Sequence, residues 1–158
     1  MKILGVDPGT ARLGWGVIET ETMIDCGCLE TKAGQPEEKR LGLLFNRLNQ
    51  LIKKYRPEAV AVEKLFFFKN QTTIIPVAQS RGVVLLVAAQ NRLPVFSYTP
   101  LQIKQAVTGY GRAEKSQVQQ MTKSILKLKL IPRPDDAADA LAVALTHEFS
   151  HRFKSRVK

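Results

Sequence analysis

Leu41, Leu44, Phe45, Leu48, Leu51 and Ile52 recur at intervals of three and four, the repeat of one face of an α-helix. The pattern opens at Pro36-Glu37-Glu38 and stops before Arg56-Pro57, because the residue ahead of a proline is pushed out of helical geometry. Directly after it comes Ala59 to Val62, a continuous apolar run that closes on Glu63 and reads as a buried strand. A helix feeding straight into such a strand is half of a parallel crossover. It restricts the chain to folds in which helices cover a sheet.

The flanking segments complete that picture. Ile3 to Val6 is an apolar run stopped by the turn Asp7-Pro8-Gly9-Thr10, and Leu13 to Ile18 and Met23 to Leu29 read as two further strands, antiparallel to their neighbours. Thr72 to Gln90 has helical length, with Pro76 confined to its first turns, and Pro94 to Tyr98 is a fifth strand. Leu101 to Val107, Lys115 to Leu128 and Asp136 to Phe149 read as helices, parted by Gly109-Tyr110-Gly111 and Pro132-Arg133-Pro134. This order predicts an α/β fold: a five-stranded mixed sheet, three antiparallel strands and then parallel crossovers, flanked by helices. One domain is expected over residues 1–150, followed by a basic tail, 151–158, expected to fray.

Composition narrows the partners. Of 158 residues, 44% are hydrophobic, enough for one substantial core. Lys and Arg number 24 against 14 Asp and Glu, and this balance of +10 calls for a polyanion, nucleic acid ahead of an anionic membrane surface. The longest apolar run, Val83 to Ala89, is too short to span a bilayer, and MKILGVDPG turns before a signal-peptide core can develop. A soluble, cytoplasmic protein without a membrane partner is expected. Cys26 and Cys28, two apart on a strand, read as reduced thiols. The helix Thr72 to Gln90 is apolar nearly all round at Val83 to Val87, which suggests burial on two sides, the second against a partner subunit.

Four acids stand where these elements bring side chains together. Asp7 ends the first strand and Glu63 the fourth, and ligands of open α/β sheets sit at the carboxyl ends of strands. Asp136 and Asp139, three apart at the start of the last helix, share one face of it. Each also has a structural reading, since aspartates suit turns and helix N-termini. Together, four carboxylates require cations, and an all-oxygen donor set selects hard divalent metals, Mg²⁺ or Mn²⁺. Carboxylates holding two metals roughly 4 Å apart are the usual apparatus for water attack on a phosphodiester. Apart from these four, ten acidic residues remain against 24 basic ones, leaving a surface on which phosphates can dock.

Two further motifs fail on inspection. His147-Glu148-Phe149-Ser150-His151 matches H-E-x-x-H, but only Arg152 to Lys158 follows, with no acid or histidine to supply a third zinc ligand. Gly109 to Ser116 falls one residue short of a P-loop, because Glu114 stands where the second glycine belongs and would turn negative charge towards the phosphates. That segment reads better as a glycine-flanked loop carrying Arg112 and Lys115 towards a DNA backbone.

Taken in order, Ile3-Leu4-Gly5-Val6-Asp7-Pro8-Gly9-Thr10, Ala61-Val62-Glu63-Lys64-Leu65-Phe66, Lys115-Ser116-Gln117-Val118-Gln119 and Asp136-Ala137-Ala138-Asp139-Ala140-Leu141-Ala142 resemble the RuvC-type Holliday junction resolvases of the RNase H-like superfamily. The resemblance covers nearly the whole chain. It implies that Asp7, Glu63, Asp136 and Asp139 are the catalytic, metal-binding acids, with two Mg²⁺ ions per site and Mn²⁺ able to substitute. It implies a four-way DNA junction as substrate, paired symmetric cuts leaving 5′-phosphate and 3′-hydroxyl ends, and a role in recombination and repair. It further implies a homodimer whose two-fold axis matches the junction, a branch-migration complex of RuvA and RuvB type as partner, and a bacterial cytoplasm. Asp135, directly before Asp136, departs from the family pattern and could cap the helix or compete as a ligand.

The stretch EKLFFFKN, residues 63–70, carries three adjacent rings that cannot all enter one core. By the resemblance, Phe66 is the aromatic that reaches the open centre of the junction, where stacking on a base contributes about 1–3 kcal/mol. Lys69 is expected on the DNA backbone, and Lys104, Lys115 and Arg112 match family positions that contact DNA near the site.

Overall fold

The structure, a computed structural model, describes residues 1–9, 11–65 and 71–156. β1 (Lys2–Asp7), β2 (Arg12–Glu19) and β3 (Thr22–Glu30) form an antiparallel meander. α1 (Glu37–Tyr55) then crosses a face of the sheet, so that β4 (Ala59–Glu63) enters beside β1 in parallel, and α2 (Gln71–Gln90) does the same for β5 (Val95–Tyr98). The strand order is β3-β2-β1-β4-β5, with β1 central, which gives the mixed sheet of an antiparallel meander and parallel crossovers expected from the sequence.

Strand alternation sorts the apolar side chains into two cores. Leu4, Val6, Val60 and Val62 meet Leu44, Leu48 and Ile52 of α1 and Val84 and Val87 of α2. Ile3, Ile18 and Ala61 turn to the opposite face and meet α5 (Asp135–Arg156), whose outer side is covered by α3 (Pro100–Thr108) and α4 (Lys115–Ile125). Asp7 and Glu63 continue the alternation on this α5 face. Leu141, Val143 and Leu145 are essentially inaccessible, and burial of each contributes about 1.5–3 kcal/mol.

α5 lies unusually close to the sheet because the strands beneath it carry glycine. A Cβ on Gly5 would come within 2.1 Å of the Ala140 carbonyl oxygen, and one on Gly16 within 2.6 Å of Leu141 Cδ2. The helix answers with small residues, Ala137, Ala138, Ala140, Ala142 and Ala144, all buried.

Two boundaries differ from the sequence expectation. α4 ends at Ile125 rather than Leu128, because the chain leaves the helix through Lys127, held in left-handed geometry at φ 53°. α5 continues to Arg156, so the tail expected to fray from 151 is helical for six residues more. Arg152 explains this: its guanidinium bonds Glu21 Oε1 at 2.5 Å and Glu148 Oε1 at 2.9 Å. On α2, Val84, Val87 and Ala88 point inward, while Ile75, Ala78, Gly82, Leu86 and Ala89 form an exposed stripe. No helix among the described residues is long and apolar enough to cross a membrane.

Candidate active site

The parallel register of β1 on β4, which aligns Val6 with Val62, carries Asp7 and Glu63 side by side off the ends of their strands. Their carboxyls lie within hydrogen-bonding reach of each other. Burial pushes the Asp7 pKa well above the ordinary carboxylate range, and the negative charges of Glu63, Asp139 and Asp136 add to the effect. Burial also raises Glu63, as does Asp139, against the opposing pull of the Asp7 hydrogen bond, Lys115 and Lys104.

α5 brings Asp136 and Asp139 in from above. Asp139 is raised by burial and restrained by Lys115, the first residue of α4, whose Nζ lies 2.9 Å from Asp139 Oδ2. Burial would depress Lys115, but Asp139, Asp135 and Asp7 outweigh it and lift its pKa above the usual value. Asp135 is the first helical residue rather than a cap. It is engaged by Arg133 and, at 3.9 Å, by Lys115. Beside the acids a cavity of about 180 Å³ opens between Lys104 and Lys115, with Ile103 and Val118 in its wall and Glu63 and Asp139 at its edge.

All four acids predicted from the sequence therefore surround one region of the sheet edge. Among the described residues no three His, Cys, Asp or Glu side chains form a ready-made cage for a metal ion. The acids are instead engaged in two partnerships, Asp7 with Glu63 and Asp139 with Lys115. Crowded carboxylates relieve their excess negative charge by drawing in cations, as the ammonium of Lys115 on Asp139 shows. The all-oxygen donor set fits a hard divalent cation.

Sequence reasoning passed over Arg81. Its guanidinium reaches under the sheet edge, donating from Nη2 to Ser97 Oγ at 2.9 Å and from Nε to the Glu63 carbonyl oxygen at 3.4 Å. It thereby ties α2 to the ends of β4 and β5 at the residue that carries the carboxylate. No local pattern marks it, since only tertiary packing brings positions 81, 63 and 97 together.

The other candidates fall as follows. Lys104, on α3, is half-buried, and Arg112 is exposed in the turn between α3 and α4. Phe66 and Lys69 lie outside the described residues. Glu114 is the N-cap residue of α4, its backbone N–H donating to the Gln117 side chain at 2.8 Å, so the near P-loop is a helix cap. His147 is buried, stacked on Phe96 with ring centroids 4.0 Å apart, and its Nδ1 is 2.7 Å from the Tyr98 hydroxyl oxygen. Glu148 is bound to Arg152 and His151 is exposed, so the H-E-x-x-H residues are set to different tasks. Cys26 and Cys28 are free thiols, and burial together with Asp136 pushes Cys28 up to about 11.

A mixed sheet of this order, with acids at the ends of its two central strands and on the helix laid across them, defines a protein of the RNase H-like class. The chain belongs to the RuvC family: the family described as "Crossover junction endodeoxyribonuclease RuvC" matches residues 3–147. It is 51% identical to the protein of that name from Pelotomaculum thermopropionicum, over all of this chain and 99% of the other. The protein of that name from Rubrobacter xylanophilus is 54% identical over 97% of this chain and 88% of the other. The structure of Thermus thermophilus RuvC in complex with Holliday junction substrate superposes with a TM-score of 0.93 at 38% identity, covering 98% of this chain and 97% of that one. A yeast mitochondrial Holliday junction resolvase, 12% identical with a TM-score of 0.65, shares the fold.

Proposed function

We propose that this chain is a crossover junction endodeoxyribonuclease that resolves four-way DNA junctions, with Asp7, Glu63, Asp136 and Asp139 as its catalytic acids. The observation that carries this reading is geometric: the β1–β4 register sets Asp7 beside Glu63, and α5 brings Asp136 down onto Gly14, the residue paired with Asp7, so acids far apart in sequence gather at the strand ends. Mg²⁺, two ions by family resemblance, would be held by these four carboxylates and would supply Lewis acidity to the attacking water and the departing 3′ oxygen. The chain's own residues do the rest. Burial and its acidic neighbours raise the Asp7 pKa, and a bound cation would favour its carboxylate form. Lys115 holds Asp139 and, with Lys104 across the cavity, offers positive charge to the phosphate flanking the cut.

Arg112 fits a contact further out along the DNA backbone, with Phe66 at the junction centre and Lys69 beside it. The exposed stripe Ile75, Ala78, Gly82, Leu86 and Ala89 suits a two-fold helix pairing in a homodimer, since small residues let two helices approach closely. A RuvA and RuvB type complex as partner and the bacterial cytoplasm as location follow from the family.

The test is a nicking assay with Mg²⁺ on mobile and immobile four-way junctions, an RNA–DNA hybrid and plain duplex. Paired symmetric cuts in the junctions alone are expected. Preference for the hybrid would favour a ribonuclease of the same fold, and metal-independent binding without cuts would reduce the protein to a junction scaffold.

A further inference from the structure

Three acids stand in the opening turns of α5, and Asp135 is the one that the proposed metal set leaves out. Successive helical residues are turned by about 100°, so Asp139 lies between the other two, roughly 60° from Asp136 on one side and roughly 40° from Asp135 on the other. Asp136 sits over Gly14 on β2. Asp135 is on the opposite flank, where α4 begins, and shares it with Asp139, its neighbour one turn on.

Lys115 Nζ faces both carboxylates of that flank, 2.9 Å from Asp139 Oδ2 and 3.9 Å from Asp135 Oδ2. Arg133 engages the other oxygen of Asp135, Oδ1, and anchors the side chain. The Asp135 side chain is 43% exposed and that of Asp139 26%, which makes Asp139 the inner carboxylate and Asp135 the outer one. A divalent cation on Asp139 would meet the Lys115 ammonium as a like charge on the same carboxylate. Repulsion then favours moving the ammonium outward, and Asp135 Oδ2 is already within ion-pairing distance to receive it.

We infer that Asp135 is a positioning residue for Lys115: it takes over the ammonium when a divalent cation occupies Asp139, which frees that carboxylate for the metal and keeps the lysine at the rim of the cavity. The inference rests on the proposed role of the four acids. Asp135 is then neither a helix cap nor a metal ligand, and it acts only through the lysine. An ion pair this exposed is worth at most about fivefold in an equilibrium constant, which sets the scale of the effect.

The experiment is a double-mutant cycle between positions 135 and 115, read in two ways: the Mn²⁺ concentration that half-completes the rise in Tm without DNA, and single-turnover junction cleavage against Mg²⁺ concentration. Asp135→Asn is expected to need about two- to fivefold more metal in both, because Lys115 then has only Asp139 to pair with. Asp135→Glu, which restores the carboxylate, is expected to return the requirement towards the parental value. In a Lys115→Met background, Asp135→Asn is expected to shift the Mn²⁺ requirement no further, since the ammonium it receives is gone. A shift of the same size in that background overturns the inference and makes Asp135 act on the metal directly, as a ligand or through its charge. A parental metal requirement in Asp135→Asn also overturns it, and so does a raised requirement that Asp135→Glu leaves untouched. Asp139→Asn serves as the reference: parental metal response and cleavage in that variant would remove the proposed acid set, a failure distinct from that of Asp135.

Discussion

Lys115 Nζ stands 2.9 Å from Asp139 Oδ2 and 3.9 Å from Asp135 Oδ2, which makes it the counter-charge to the opening turn of α5. Burial raises Asp139 and Lys115 is the main influence holding it down. Lys115→Met therefore lets the Asp139 pKa climb further, and the acid limb of the cleavage rate against pH moves to higher pH. Lys115→Arg keeps the limb in place. Because the lysine is more than half exposed, its loss should change stability by no more than about 1 kcal/mol. An unmoved acid limb in Lys115→Met would separate the lysine from Asp139 function.

Asp7→Asn should abolish cleavage, retain junction binding and raise the stability of the metal-free protein at mildly alkaline pH. A carboxyl whose folded pKa is raised binds its proton more tightly when folded. Its contribution to stability is complete below the unfolded value of about 3.9 and is lost as pH rises through the folded value. Asparagine stays neutral, so the variant avoids that loss, and its advantage should vanish on acidification. In a chain of this size each 1 kcal/mol appears as about 2–4 °C in Tm. A metal-free Asp7→Asn that melts below the parent at pH about 8 would contradict the raised pKa.

Arg81→Met keeps the apolar stem and removes the bonds to Ser97 and to the Glu63 carbonyl. A loss of about 1–3 kcal/mol is expected by urea unfolding, with slower cleavage as the end of β4 loosens. Normal cleavage alongside lowered stability would confine Arg81 to the fold.

The mixed sheet with its crossovers was legible because apolar periodicity is a local property, and the gathering of the four acids because they lie at strand ends and in the opening turns of α5. What escaped depends on distant partners. Nothing near Arg152 announces Glu21, 131 positions away, yet that pair keeps α5 helical past residue 151. A glycine in a strand likewise reads as weakness until the helix above it is seen. Lys127 adopts left-handed geometry without the glycine or asparagine that would signal it, so the end of α4 was placed three residues late.

His147 acts in the opposite pH direction. Burial lowers its pKa to about 4, with His151 and Lys154 contributing. A histidine depressed in this way stabilises the fold above its unfolded value of about 6.5, and that stability is lost as pH falls towards the folded value, by at most about 3 kcal/mol. His147→Phe, stacked on Phe96, should flatten the fall in the urea midpoint between pH about 7 and 4. An equally steep fall in the variant would assign the acid sensitivity to other groups.

Phe66→Ala should lose junction cleavage while Tm and the metal-induced rise in Tm stay parental. A matching loss of Tm would make the ring an anchor for its loop.

α5 supplies half of the proposed acids and also closes the second core, where Leu141, Val143 and Leu145 are buried. Asp136 and Asp139 therefore ride on the same rigid body that holds this core shut. Any loosening of that packing displaces both carboxylates together, so the integrity of the core and the geometry of the acid cluster are one variable.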